Sequence, residues 1–128
     1  MIDEVNEIAK NEEIYGTSVA TLRKSVGVIL EKLENVKMRP ILESAPFTVI
    51  NDKKYRISVS NQKLVLSVEY GSAMSLDSAP DEVLPELYVT LTAYIKNYAS
   101  EIKKRRKEAE GAVKDAKNDS ALLSLING

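Results

Sequence analysis

Along the first forty positions, apolar residues recur at alternating spacings of three and four. The stripe runs through Val5, Ile8, Glu12, Tyr15, Val19, Leu22, Val26, Ile29, Leu33 and Val36, with Glu12 its one polar break. That spacing is the a/d seam of a coiled-coil helix. The flanking positions are mostly charged or polar, so the stripe is narrow. Arg39-Pro40 closes it, because the residue before a proline is pushed out of the α region. The pattern predicts a helix over residues 2–38, roughly 55 Å long at 1.5 Å per residue.

The last third of the chain repeats the pattern through Leu84, Tyr88, Leu91, Ile95, Tyr98, Ile102, Arg105, Ala109, Ala112 and Ala116. Asp81 offers an N-cap and Pro85 falls in the first turn, where a missing N–H is harmless. Ser78 and Pro80 offer a rival start. The expected helix spans residues 81–117, and Gly111 inside it costs about 1 kcal/mol relative to alanine.

Between the helices the period falls to two. Tyr55, Ile57 and Val59 alternate with Arg56, Ser58 and Ser60, and Leu64, Leu66, Val68 and Tyr70 alternate with Lys63, Val65, Ser67 and Glu69. The turn at Asn61-Gln62 joins them as a hairpin. Phe47-Thr48-Val49-Ile50, followed by Asn51-Asp52, adds a third strand, so residues 46–70 form a meander. Such a sheet is marginal alone and needs its apolar face covered. Residues 119–127 form an apolar tail that a last short helix could accommodate, capped by Asp119 or Ser120. The expected class is α+β in a single domain over residues 1–128. Two long antiparallel coiled-coil-type helices flank a three-stranded antiparallel β-meander, with a short C-terminal helix.

Folding the two stripes against each other sets Val36 near Leu84 and Tyr88, with paired residue numbers summing to about 120. The polar breaks Glu12 and Arg105 then fall in neighbouring layers and form a structural polar pair. The same register lays the acidic start (Asp3, Glu4, Glu7, Glu12, Glu13) beside the basic run at residues 103–107. The pairing works within one chain or between chains. Two narrow stripes and a one-sided sheet supply little core, which points to a homo-oligomer.

Composition removes whole classes of chemistry. The 128 residues contain no histidine and no cysteine, so a Ser-His-Asp triad, a thiolate site and a zinc or copper site of the usual ligands are not available. The five glycines are dispersed and make no phosphate loop. Asp81, Glu82 and Glu86 cluster at a helix start, where the helix dipole accounts for them better than magnesium does. No catalytic residue, metal or cofactor is expected, and the chain reads as a non-enzyme. The formal net charge of −1 provides no global field. No apolar run approaches the roughly 20 residues of a membrane span, and the expected setting is the cytoplasm.

The surfaces left for function are three. Lys103, Lys104, Arg106 and Lys107 could track phosphates, with Arg105 drawn into the seam, although a solvated face paired with the acidic N-terminus is the plainer reading. Tyr94 lies beside the seam as a partner contact, whereas Tyr15, Tyr88 and Tyr98 belong to it. Leu122, Leu123, Leu125 and Ile126 could cover the open end of a coiled coil or enter a partner's groove.

This order of helix, meander and helix resembles the prefoldin subunits, which hold unfolded clients at the tips of paired helices. It also resembles small nucleoid-associated proteins that dimerise and bind DNA. Both likenesses rest on the order of elements over most of the chain, and no residue is carried over from either. The leading expectation is a non-catalytic oligomeric adaptor, inhibitor or assembly factor that binds another protein through helix faces, meander or tail. A small accessory protein of a phage or mobile element would fit that description. A nucleic-acid-binding dimer is the alternative, and a client-holding chaperone the third.

Overall fold

The computed structural model describes residues 1–48, 50–119 and 124–126. The chain divides into two compact units, residues 1–94 and residues 95–128, each considered by itself.

In the first unit, helix α1 (Ile2–Lys32) ends six residues before the expected boundary. The cause is tertiary. Met38 is buried, and its N–H donates to the carbonyl of Gln62 at 2.9 Å. The chain must leave the helix, through a turn at residues 33–35, to reach that bond. Along α1 only Val19 and Val26, one heptad apart, are fully buried, and residues 1–18 are exposed throughout.

The hairpin forms as its alternation demands. Strands β2 (Lys54–Ser60) and β3 (Lys63–Val68) pair antiparallel with Tyr55 opposite Val68, Ile57 opposite Leu66 and Val59 opposite Leu64. Asn61 and Gln62 have φ of 53° and 67°. Two consecutive positive φ values give the turn whose twist matches the strands it joins. On the outer face the hydroxyls of Ser58 and Ser67 hydrogen-bond across the strands at 2.6 Å.

The expected three-stranded meander is not formed. What remains of its first strand is β1 (Phe47–Thr48), two residues against Lys54 and Tyr55, so the sheet is in substance the two-stranded β2–β3 hairpin. Pro46 has no N–H to extend the ladder backwards. On the other side Asn51 and Asp52, at φ of 69° and 55°, turn the chain away. Phe47 nevertheless stacks on Tyr55, with ring centroids 6.2 Å apart.

Other segments occupy the hairpin's edges. Ser44 binds Ile57 twice, its N–H donating to the Ile57 carbonyl at 3.0 Å and its Oγ accepting from the Ile57 N–H at 2.7 Å. Met74 exchanges two backbone bonds with Leu66, at 2.8 and 2.9 Å. Edges occupied in this way do not offer a free template for another strand.

Helix α2 (Leu84–Asn118) starts after a 3-10 turn at Asp81–Val83, three residues later than expected. Within the first unit its buried positions are Leu84, Leu87, Leu91 and Tyr94. The expected stripe shared Leu84 and Leu91 but placed Tyr88 and Ile95 on the seam, and both are only half-buried. The buried face is therefore turned toward Leu87 and Tyr94. The buried positions keep spacings of three, four and three, so the seam is displaced by one residue rather than lost. Together with Ile57, Leu66, Leu76, Val83 and Val26, these residues make the core of the first unit.

The expected antiparallel coiled coil within this unit is also corrected. Within this unit α1 packs on the 3-10 turn at Leu76–Ser78. Arg23, not Val36, meets the approach to α2, with an Arg23–Asp81 distance of 2.6 Å. Among the described residues two helices are long, α1 and α2. Of the expected terminal helix, residues 124–126 are helical, and most of the remainder lies outside the described residues.

Candidate interaction surfaces

Arg23 holds three acceptors at once. From the middle of α1 its Nη1 donates to the carbonyls of Asp77 at 2.6 Å and Ala79 at 2.8 Å. Its Nη2 reaches the Asp81 carboxylate at 2.6 Å. A guanidinium has several N–H donors in a rigid fork, so one side chain can hold three acceptors along a single loop. Ser75 Oγ binds the Asp77 carboxylate and braces the same loop. Sequence reasoning missed this clamp, since nothing in the spacing of Arg23 and Asp81 announces a contact across 58 residues.

Eight residues before Arg23, toward the N-terminus, Tyr15 lies close to the same acidic corner. Partial removal from water raises its phenol above the usual tyrosine range, and the carboxylates of Glu82, Asp81 and Glu12 raise it further. Beyond this point α1 continues as an arm. Val5, Ile8 and Tyr15 keep their helical spacing there and are exposed, with Ile8 at 61 %. Ile2 and Ile14 add apolar surface to the arm. Helices in proteins owe most of their stability to a packed apolar face, and among the described residues this one is exposed.

In the second unit, residues 103–115 are exposed, which places Lys103, Lys104, Arg106 and Lys107 in solvent. Arg106 pairs with Glu110 at 3.5 Å, and Arg105 Nε pairs with Glu101 at 3.2 Å. Both are neighbours one turn apart on the helix and contribute little to stability. Ile102 and Ala116 are half-buried, while Ala109, Ala112 and Val113 are exposed. A second apolar stripe therefore runs along this unit, next to the cationic run.

The remaining candidates are placed as follows. Tyr94, expected as a partner contact, is 4 % exposed, and its hydroxyl donates to the Leu42 carbonyl at 2.9 Å. It is a core residue of the first unit, because the buried face of α2 turns one position from the expected seam. Glu12 is exposed on the arm. Leu125 and Ile126 are exposed, and Leu122 and Leu123 lie outside the described residues.

A cleft of about 390 Å³ opens between the end of α1 and β3, floored by Leu30, Leu33, Met38 and Leu64, with Lys63 and Glu34 at its rim. Among the described residues, no three acidic side chains are gathered as a metal site requires, and Asp81 is already engaged by Arg23. No helix among them is long and apolar enough to cross a membrane. The chain matches no protein-family model, no curated protein and no solved structure.

Proposed function

We propose that this protein acts without catalysis, as an interaction protein that binds another protein chain through the exposed apolar face of its N-terminal helical arm. One observation carries the reading. The first eighteen residues hold a coiled-coil stripe, Val5, Ile8 and Tyr15, in regular helix and exposed throughout. The hairpin is a poorer candidate, since Ser44 and Met74 occupy its edges. Cross-linking tests the proposal. A photoreactive amino acid placed at Val5 or Ile8 should form covalent adducts with protein in the native cell. The same group at Lys10, on the opposite side of the helix, should not. Absence of adducts from both stripe positions would sink the reading.

The exposure of Lys103, Lys104 and Lys107 favours a second reading, nonspecific binding of nucleic acid. Duplex affinity that falls steeply with salt, and is lost on Lys103/Lys104/Arg106/Lys107→Glu, would establish it. Absence of binding at low salt would remove it.

A further inference from the structure

We infer that the occupant of the α1 arm is a second copy of this chain, specifically the exposed part of its α2 helix beyond residue 101. The inference rests on the reading of the arm as a protein-binding face and names the partner. Two features of the arm and of α2 argue for it.

The first is charge. Residues 1–18 contain five carboxylates, Asp3, Glu4, Glu7, Glu12 and Glu13, against Lys10 alone. Residues 95–118 contain eight lysines and arginines against four carboxylates. Two arms laid together would bring acid to acid, and two α2 segments base to base. Only the mixed pairing brings opposite fields together.

The second is register. Val5, Ile8, Glu12 and Tyr15 are spaced three, four, three, and so are Ile102, Arg105, Ala109 and Ala112. Laid antiparallel, the stripes match Val5 with Ala112, Ile8 with Ala109, Glu12 with Arg105 and Tyr15 with Ile102. Val5 and Ile8 then meet alanines, Tyr15 meets Ile102, and the only charged residue of each stripe meets its opposite. Laid parallel, Glu12 would face Ala109 and Ile8 would face Arg105, setting each stripe's charge against an apolar residue of the other. Glu101 engages Arg105 at Nε, which leaves the terminal nitrogens of the guanidinium able to donate to Glu12. Each copy supplies both an arm and an α2 segment, so two copies can make the contact twice in a two-fold dimer.

Charge reversal tests this in full-length protein. One variant carries Glu4→Lys, Glu7→Lys, Glu12→Lys and Glu13→Lys. The other carries Lys103→Glu, Lys104→Glu, Arg105→Glu, Arg106→Glu and Lys107→Glu. Every position lies on an exposed helix surface, and circular dichroism verifies folding. Light scattering should give wild type twice the chain mass of 14.2 kDa, and each variant alone the single mass. An equimolar mixture of the two should recover the doubled mass, because both mixed contacts are again complementary. A monomeric wild type overturns the proposal, and so does a dimer insensitive to both reversals or a mixture that stays monomeric. Adducts from Ile8 to an unrelated protein would then show that the arm binds a different partner. Absence of any adduct would overturn the functional reading as well.

Discussion

Replacing Arg23 with alanine should destabilise the first unit by about 3 kcal/mol, and most of that loss should come from two backbone carbonyls rather than from the ion pair. The Nη1 bonds to Asp77 and Ala79 are charge-assisted, a class that contributes about 1.5–3 kcal/mol each. The Arg23 side chain is 34 % exposed, so water can reach the carbonyls once it is gone, and the low end of that range applies. Its partner Asp81 is 58 % exposed, and an ion pair so open to solvent is typically worth about 0–1 kcal/mol. Asp81→Asn should therefore cost less than about 1 kcal/mol. Arg23→Lys should fall between the two, because an ammonium cannot span the loop with a planar fork. Urea unfolding followed by circular dichroism, at one fixed protein concentration, measures all three as shifts in midpoint at constant slope. The Arg23→Ala loss should change little with added salt, since backbone carbonyls carry no net charge to screen. If Asp81→Asn proves as costly as Arg23→Ala, or if salt abolishes the Arg23 effect, the clamp works as an ion pair and the reasoning is wrong.

Tyr94→Phe removes the part-buried hydroxyl bond to Leu42 and should lower stability by about 1 kcal/mol, read as a lower melting temperature. Gln62→Gly should raise stability by about 1 kcal/mol, since Gln62 holds a left-handed φ that glycine adopts freely and its carbonyl bond to Met38 is kept. Tyr15 should ionise later than an ordinary tyrosine in an ultraviolet difference titration, and Glu82→Gln should lower it only part of the way, since loss of water contact is the larger cause. Its raised pKa means the fold favours the neutral phenol. That contribution is complete below the unfolded tyrosine value and is lost as pH climbs through the raised one. Leu66→Ala, at a fully buried site facing Ile57, should cost about 2–5 kcal/mol in the same urea assay.

Some of this molecule was legible in the sequence because the governing forces are local. The stripe from Val5 to Val26 and the alternation from Tyr55 to Val68 each report one element's own period, and both elements formed. The Asn61-Gln62 turn was readable for the same reason, since left-handed backbone at two successive residues needs side chains that tolerate it. The exposed candidates were readable in part. Lys103, Lys104, Arg106 and Lys107 lie on the surface as expected of cations, but no pattern shows whether anything meets them.

What the tertiary structure decided was where each local pattern is interrupted and which way it faces. The stripe of α1 continues in sequence to Val36, yet the helix stops at Lys32 because burying Met38 against the hairpin turn outweighs four more residues of helix. Both Leu87 and Tyr88 are apolar, and only the shape of the core chose Leu87 for the interior. Phe47 and Thr48 fit a third strand by composition, but Pro46 precedes them, the left-handed pair Asn51 and Asp52 turns the chain away, and among the described residues of that segment these two alone pair with β2. The bonds of Arg23 join α1 to a loop more than fifty residues away. A helical period fixes that a face exists, because it depends on neighbours three and four residues apart. What that face meets depends on residues distant in the chain, and only the folded arrangement determines it.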